Sequence, residues 1–226
     1  ERRAWILQDP LVRTREERVL RDLSQAVAAL SVGARVVELG CGEGINLELL
    51  AAMPANAGRI FIGYDPCREA VLAGQRAGVD TREGDGIDVP LTEPSGSADL
   101  VFCRDVLHHL PSVEARARFI GEMKRLAKPG ATIMIIEPSV THPLIFLQQL
   151  VQPAERGVKA IREEMVMRLL PPHAKVSRYE PSLVWRLVCH YRMPLFAHDF
   201  VHSPWGERAL NEWETLTGRI VPSRWW

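Results

Sequence analysis

Hydrophobic residues in the first 138 positions fall into short apolar runs, separated by longer stretches in which apolar residues recur with helical spacing. The short runs end at glycine, proline or charged residues and predict buried strands, whereas the longer stretches predict amphipathic helices. Their alternation with short connections predicts an α/β fold: a doubly wound, mostly parallel sheet with right-handed crossovers. The predicted order is helix 14–30, strand 35–39, helix 45–53, strand 59–64, helix 67–77, strands 80–83 and 99–103, helix 112–127 and strand 131–137.

A glycine-rich turn follows the first predicted strand, with Gly40, Gly42 and Gly44 at alternate positions. Glycine has no side chain and tolerates positive φ, so such a turn lets the backbone approach a ligand closely, and the next helix directs N–H groups toward it. The third glycine comes too early for the Gly-x-Gly-x-x-Gly fingerprint of dinucleotide binding. Glu38 lies just before the turn, and its carboxylate suits an ammonium or sulfonium ligand better than a pyrophosphate.

The pattern Glu38-x-Gly40-x-Gly42-x-Gly44 resembles motif I of the class I S-adenosylmethionine-dependent methyltransferases. Other segments resemble this family in the expected order: an apolar run ending at Asp65, the turn Gly84-Asp85-Gly86, the strand and following segment over 98–111, and the Lys-Pro-Gly turn and strand over 126–138. The resemblance covers residues 34–138, about half of the chain. It implies a Rossmann-like methyltransferase fold with a sheet of the seven-stranded type, S-adenosylmethionine as cofactor and S-adenosylhomocysteine as product.

The resemblance also implies roles for single residues at the strand ends. Asp65 would accept hydrogen bonds from the ribose hydroxyls, Asp85 would accept one from the adenine amino group, and the Gly86 N–H would meet the ring. Tyr64 and Pro66 would line the adenine pocket. From the residues alone, Asp65 could also cap the next helix, and Asp85 could belong to an ordinary Asp-Gly turn. The predicted cofactor-binding set is Glu38, Gly40, Cys41, Gly42, Gly44, Asp65, Pro66, Asp85, Gly86, Cys103 and Arg104.

Two histidines follow the fourth predicted strand, where this family brings methyl donor and acceptor together. A neutral hydroxyl acceptor must lose a proton, which histidine is suited to take. Because Leu107 and Leu110 should anchor this segment in the core, we expect one histidine to face the cleft and the other to hydrogen-bond within the fold. Glu137 could orient a histidine, bind the acceptor or cap the fifth strand. The predicted catalytic set is His108, His109 and Glu137, with purely structural histidines as the alternative.

The alternation of strands and helices stops after Pro138. Helical patterns over 144–151, 154–170 and 181–189 predict an inserted helical cap over the active site, and 195–202 predicts a sixth strand. We therefore divide the chain into an N-terminal helical segment over the cofactor cleft (1–33), a cofactor-binding core (34–138), a cap (139–194) and a C-terminal return to the sheet (195–226).

The amino-acid composition limits the kinds of partner and the cellular location that we expect for this protein. Lysine plus arginine equals aspartate plus glutamate at 28 residues each, so no charge excess favours nucleic acid. The four cysteines show no Cys-x-x-Cys spacing, so the sequence predicts neither a zinc site nor a disulfide framework. Because free thiols suit a reducing compartment, the cytoplasm is the simplest location. No resident metal is predicted, although Asp105, His108 and His109 partly match a divalent-ion segment of quinone-biosynthesis relatives. No transmembrane run is predicted, and the basic residues of the cap leave peripheral membrane contact open.

These inferences together predict an enzyme that transfers a methyl group to a small or lipid-like acceptor, at oxygen, by in-line displacement. The paired histidines favour oxygen, and the apolar cap favours a hydrophobic acceptor. The alternatives are nitrogen or carbon methylation in natural-product biosynthesis, an NAD-type oxidoreductase, and a non-catalytic subunit that binds the cofactor for regulation. The acceptor and the oligomeric state do not follow from the sequence.

Overall fold

The computed structural model describes residues 20–87 and 91–137 continuously, together with positions 6, 7, 13, 16, 17, 19, 166, 168–170, 203–206, 208, 209, 212 and 216. The chain divides into two compact units. One unit contains both continuous stretches and the described positions from 166 to 170, and the other contains the described positions before 20 and after 202. All of the elements and candidate site residues described below belong to the first unit.

Five parallel strands form the sheet of this unit, in the order β3-β2-β1-β4-β5. They are β1 (Arg35–Leu39), β2 (Ile60–Asp65), β3 (Thr81–Glu83), β4 (Ala98–Arg104) and β5 (Ala127–Ile136). The strand order reverses between β1 and β4, and ligands bind beyond the carboxyl ends of the strands at such a reversal. The predicted doubly wound parallel sheet is confirmed for these five strands, while the predicted sixth strand lies outside the described residues.

Helices connect the strands: α1 (Arg21–Ala28), α2 (Ile45–Ala52), α3 (Arg68–Arg76) and α4 (Val113–Leu126), with 3-10 turns at Pro54–Asn56 and Leu107–His109. The start of α4 is fixed by Ser112, whose hydroxyl accepts a hydrogen bond from the Ala115 N–H at 3.1 Å. Two predicted bounds are wrong. The described positions 16, 17 and 19 are helical as predicted, but Leu20 lies in a turn, so the predicted helix 14–30 is interrupted there and α1 spans Arg21–Ala28. β5 begins at Ala127 rather than at 131, because Ala127 already pairs with Ala98 of β4.

The hydrophobic core packs one face of the sheet against α4. Side chains of the strands and of this helix form one buried cluster, which includes Val37, Leu39, Ile62, Tyr64, Val101, Cys103, Phe119, Ile120, Met123 and Leu126. Val166, Leu169 and Leu170 pack against the same cluster, and Lys124 Nζ donates to the Leu169 carbonyl at 2.9 Å. These three positions, which belong to the predicted cap, therefore contact the core of the sheet. The predicted helices at 144–151 and 181–189 lie outside the described residues.

Tyr64 does not line an adenine pocket, so that part of the sequence interpretation is wrong. Its side chain has no exposed surface, and its hydroxyl lies 2.7 Å from Thr92 Oγ1. Successive side chains of a strand point to opposite faces. Gly63 lies against Cys41 and Leu47 on one face of β2, whereas Tyr64 joins the α4 cluster on the other.

Candidate active site

The predicted site residues come together at one edge of the sheet, beyond the carboxyl ends of its strands. The register places the end of β1 beside that of β2, with Leu39 opposite Tyr64, and the end of β4 beside that of β5, with Arg104 opposite Ile136. The glycine-rich turn, Asp65, Arg104 and Glu137 each follow or end one of these strands. Because the strands pair in parallel, groups that are far apart in the sequence lie at the same edge of the sheet.

The glycine-rich turn is tied to the end of β2 by main-chain hydrogen bonds. The N–H groups of Gly40 and Cys41 both donate to the Tyr64 carbonyl, at 2.7 and 3.0 Å. The Gly42 N–H donates to Asp65 Oδ2 at 2.7 Å. These three N–H groups thus bind within the fold and do not form an anion cradle of the kind that holds a pyrophosphate.

The shape of the turn explains why glycines occupy it. Gly40, Gly42 and Gly44 have φ values of 76°, 54° and 75°, in the left-handed region that side chains disfavour. A Cβ on Gly40 would overlap the Val106 side chain, and one on Gly44 would lie 2.8 Å from Val79 Cγ1. A Cβ on Gly42 would meet nothing within 4 Å. The turn is packed at its two ends and open at its middle, where a ligand can reach the main chain.

Asp65 combines a capping role with spare acceptor capacity. Its Oδ1 accepts from the Cys67 N–H at 2.8 Å, at the N-terminus of α3, and its Oδ2 accepts from Gly42. An ionised carboxylate has about four lone-pair sites, so both oxygens can accept a further hydrogen bond. The alternative of a helix cap is therefore compatible with ribose binding. Pro66, beside it, is exposed.

The turn at 84–86 lies against the same strand end. The Gly84 N–H donates to the Asp65 carbonyl at 3.1 Å, and Asp85 Oδ1 accepts from the Ile87 N–H at 2.7 Å. Gly86 has a φ of 69°, and a Cβ there would lie 2.5 Å from Glu122 Cγ of α4. Packing against α4 thus fixes this turn next to Asp65, the predicted ribose ligand. Adenine recognition by Asp85 and Gly86 stays a prediction.

Glu38 is fully buried, and its two oxygens differ. Oε1 accepts from Asn46 Nδ2 at 2.6 Å, whereas Oε2 has no hydrogen-bond partner among the described residues. The pKa of Glu38 is raised from its usual 4.5 to about 8, chiefly by burial, with smaller contributions from the nearby Asp65 and Asp105 carboxylates. The hydrogen bond from Asn46 and the charge of Arg104 lower this pKa, but less than burial raises it.

Asn46 was missed by the sequence analysis. It is a polar residue in the first turn of the mostly apolar helix Ile45–Ala52, directly after the glycine-rich turn, and that position was the available signal. Its Oδ1 accepts from Arg104 Nη1 at 3.0 Å, so it bridges Arg104 and Glu38. Arg104 Nε lies 3.5 Å from Asp105 Oδ2, and Asp105 is the one non-glycine residue with positive φ (57°) in the described part of the chain.

Cys41 and Cys103 are both buried, and Cys103 has no exposed surface at all, so neither thiol is open to a ligand. Burial raises the pKa of the Cys41 thiol, and the charges of Glu38 and Asp65 add to this effect. Burial likewise raises the pKa of Cys103. Neither thiol therefore ionises near neutral pH, and neither is suited to act as a nucleophile.

We expect the Glu38→Gln substitution to remove a pH dependence of stability. The folded protein holds a proton on Glu38 up to about pH 8, whereas the unfolded chain releases it near 4.5. Stability should therefore fall as pH rises from 4.5 through about 8, by at most about 1.4 kcal/mol per pH unit. The variant keeps an acceptor for Asn46 and should lack this fall. Urea unfolding at about pH 6 and about pH 8.5 measures the difference, and parallel pH profiles of both proteins would contradict the expectation.

Glu137 holds the turn that follows β4. Its Oε1 accepts from the N–H groups of Val106 (2.9 Å) and Leu107 (2.7 Å), and its Oε2 lies 2.7 Å from His108 Nδ1. His108 is buried, whereas His109 is exposed, and their ring centroids are 4.0 Å apart. Of the two predicted histidines, His108 therefore makes the hydrogen bond within the fold.

Arg116 supports this turn from α4 and was also missed by the sequence analysis. It is 5% exposed, and it donates to the carbonyls of Leu107 (3.0 Å) and Leu110 (2.9 Å). The turn is therefore held at its start by Glu137 and at its end by Arg116. An arginine on the buried face of an amphipathic helix was the available signal.

Two features are absent from the described part of the chain: a metal-binding cluster and a membrane-spanning helix. There, no group of three or more histidine, cysteine, aspartate or glutamate side chains is arranged to hold a metal ion. In the same part, no helix combines the length and the apolar composition that crossing a membrane requires.

The geometry fits a cofactor with a cationic group. Oε2 of Glu38 is a buried oxygen without a partner in the described part of the chain, and an ammonium group would supply a charged donor to its ionised form. The open middle of the glycine-rich turn leaves room for main-chain contact, and Asp65 retains acceptor sites for hydroxyl groups.

Comparison with known proteins agrees with this geometry. A family model described as a methyltransferase domain matches residues 11–214. The ubiquinone biosynthesis O-methyltransferase of Xanthomonas oryzae is 29% identical over 181 residues, which cover 78% of this chain and 70% of that protein. The trans-aconitate 2-methyltransferase of Methylobacterium nodulans is 26% identical over 194 residues, which cover 84% of this chain and 69% of that protein.

A probable S-adenosylmethionine-dependent methyltransferase of Mycolicibacterium smegmatis is 31% identical over 115 residues, covering 51% of this chain but only 42% of that protein. Among solved structures, an S-adenosylmethionine-dependent methyltransferase from Archaeoglobus fulgidus superimposes with a TM-score of 0.61 at 20% identity, covering 92% of this chain and 88% of that one. The latter similarity shows the fold. Because the family model spans most of the sequence, this chain belongs to the class I S-adenosylmethionine-dependent methyltransferases.

Proposed function

We propose that this protein transfers the methyl group of S-adenosylmethionine to an oxygen atom of a small or lipid-like acceptor. The observation that carries this proposal is the arrangement after β4, where an exposed His109 lies against a buried His108 that is bound to Glu137. This turn follows Arg104, which contacts the cofactor side of the site through Asn46.

The cofactor supplies a methyl group that the positive sulfur has already activated, so the protein must align the reactants, exclude water and deprotonate the acceptor. Glu38 Oε2 would bind the ammonium group, and Asp65 would accept from the ribose hydroxyls. Asp85 and Gly86 would contact adenine. The remaining contacts would come from main-chain atoms of Gly40, Cys41, Gly42, Gly44 and Arg104 and from the exposed ring of Pro66. Cys103 has no exposed surface and is left out of the proposed contacts.

His109 would act as the general base that removes the acceptor's hydroxyl proton. Glu137 and His108 are positioning residues in this proposal. Since the Glu137 carboxylate only accepts, His108 Nδ1 donates to it, which fixes the tautomer and orientation of the His108 ring. The His108 ring in turn contacts His109, with an angle of 46° between the ring planes.

The comparison supports oxygen as the acceptor atom, since one relative is named as an O-methyltransferase of ubiquinone biosynthesis. Another is named for trans-aconitate. The proposal of a lipid-like acceptor rests on the sequence alone, because the apolar run over 144–151 lies outside the described residues.

Transfer from S-adenosylmethionine carrying a 13C-labelled methyl group tests the proposal. The purified protein is incubated with phenols, hydroxyquinones, carboxylic acids and, for contrast, amines, and the products are examined by 13C NMR. We expect S-adenosylhomocysteine release together with a methyl signal typical of carbon bound to oxygen. A methyl group on nitrogen or carbon would overturn the acceptor atom, and cofactor binding without turnover on any acceptor would support a non-catalytic role instead.

A further inference from the structure

Asn46 links two charged residues that the sequence analysis had treated separately. Its Nδ2 donates to Glu38 Oε1 at 2.6 Å, and its Oδ1 accepts from Arg104 Nη1 at 3.0 Å. A guanidinium group can only donate hydrogen bonds. Arg104 therefore fixes the amide orientation: the oxygen must face the guanidinium, and the amide nitrogen must face Glu38.

This fixed orientation makes the two oxygens of Glu38 inequivalent. Asn46 occupies Oε1, whereas Oε2 is buried without a hydrogen-bond partner among the residues with described positions. Leaving a buried carboxylate oxygen unpaired is unfavourable, more so than for a neutral group. Without a ligand, this cost appears as the raised pKa of Glu38, about 8, which keeps the group protonated near neutral pH. A donor of positive charge beside the glycine-rich turn would displace that proton and stabilise the ionised Oε2 most.

We propose that Asn46 is a positioning residue that reserves Glu38 Oε2 for the ammonium group of the cofactor, and thereby sets specificity for the cofactor's amino-acid portion. This inference rests on the proposed binding of S-adenosylmethionine. Asn46 holds the carboxylate by one oxygen and prevents it from rotating to satisfy both oxygens within the protein. Arg104, which is 8% exposed in its side chain, keeps Asn46 in place.

The proposal predicts that Asn46 matters only for ligands that carry the ammonium group. S-adenosylhomocysteine has it, whereas 5′-methylthioadenosine keeps the adenosine and sulfur but lacks the amino-acid portion. We expect Asn46→Ala to weaken S-adenosylhomocysteine binding at least about tenfold, the scale of one charge-assisted hydrogen bond. Binding of 5′-methylthioadenosine should change less than about twofold. Isothermal titration calorimetry of both ligands measures the ratio.

Gln75→Ala is the matched control. Gln75 also donates its side-chain amide to a part-buried oxygen, the Thr81 carbonyl at 2.7 Å, but it contacts no residue of the glycine-rich turn through that bond. This variant should lower the melting temperature and leave the ratio of the two affinities unchanged. If Asn46→Ala does not fold, Asn46→Leu, which has a similar volume and no donor, replaces it.

A double-mutant cycle separates positioning from general structural support. If Asn46 acts through Glu38, its replacement should have no further effect on S-adenosylhomocysteine binding in a Glu38→Gln background. Additive losses, or equal losses for both ligands, would overturn the role of Asn46 while leaving the proposed function intact. A wild-type protein that binds neither ligand would overturn the proposed function, and this inference with it.

Discussion

We expect the Asp65→Ala variant to bind S-adenosylhomocysteine at least about tenfold more weakly than the wild-type protein, because hydrogen bonds to a charged group contribute about 1.5–3 kcal/mol each. Two effects act together. The variant loses the acceptors proposed for the ribose hydroxyls, and it releases the Gly42 N–H, which Asp65 Oδ2 holds at 2.7 Å. The turn that should contact the cofactor thereby loses one of its three hydrogen bonds to β2, while those of Gly40 and Cys41 to the Tyr64 carbonyl remain. Isothermal titration calorimetry at one pH and salt concentration measures the change.

Asp80→Ala provides the control for this substitution. Asp80 is a half-exposed aspartate that pairs with Arg82 at 2.8 Å just before β3, so its loss removes a carboxylate without touching the glycine-rich turn. Its affinity for S-adenosylhomocysteine should equal that of the wild type. An Asp65→Ala variant that also binds with unchanged affinity would remove the ribose assignment.

Strand positions could be read from the sequence because buried parallel strands are short apolar runs with clear ends. The glycine-rich turn was equally readable, since its conformational demands are local: positive φ at Gly40, Gly42 and Gly44 leaves glycine as the residue of choice. The acid before the turn and the acid at the end of β2 were identified by their positions in the sequence together with the resemblance to the methyltransferase motifs.

Side-chain partners were not readable in this way, since they depend on which elements meet in space. Asn46 contacts both Glu38 and Arg104, and Arg104 lies 58 positions further along the chain, so no local sequence pattern predicts that contact. The prediction for Tyr64 is wrong because the sequence of β2 does not show which of its two faces packs against α4. Likewise, the sequence predicted that one histidine would bond internally, but only the position of Glu137 shows that it is His108.

The segment from Arg104 to His109 connects the two halves of the site. At its start, Arg104 contacts the cofactor side through Asn46, and at its end His108 and His109 lie on the proposed acceptor side. Asp105 adopts a φ of 57° between them, a conformation that aspartate tolerates better than most residues. Glu137 then accepts from the two following N–H groups. The cofactor side and the two histidines are therefore joined by six consecutive residues, 104–109.

His109 is the residue on which the proposed oxygen chemistry depends most. A hydroxyl acceptor is a weak nucleophile until its proton leaves, and general base catalysis contributes about 100-fold to 10,000-fold in rate. His108 is 2% exposed in its side chain and engaged with Glu137, so it is poorly placed to meet an acceptor. His109 is exposed and follows directly in the same turn.

The His109→Ala variant should therefore lose about 100-fold or more in kcat, while its affinity for S-adenosylhomocysteine stays within about twofold, since no proposed cofactor contact changes. Added imidazole should restore part of the turnover, because a free base can fill the space that the side chain leaves. His108→Ala should also lose turnover, but imidazole should not restore it, because that ring positions His109 and does not take the proton itself.

Val113→Ala, at the exposed start of α4, is the control and should keep wild-type kcat. Full activity in both histidine variants would show that neither ring is the base, and the acceptor would then be one that needs no proton removed.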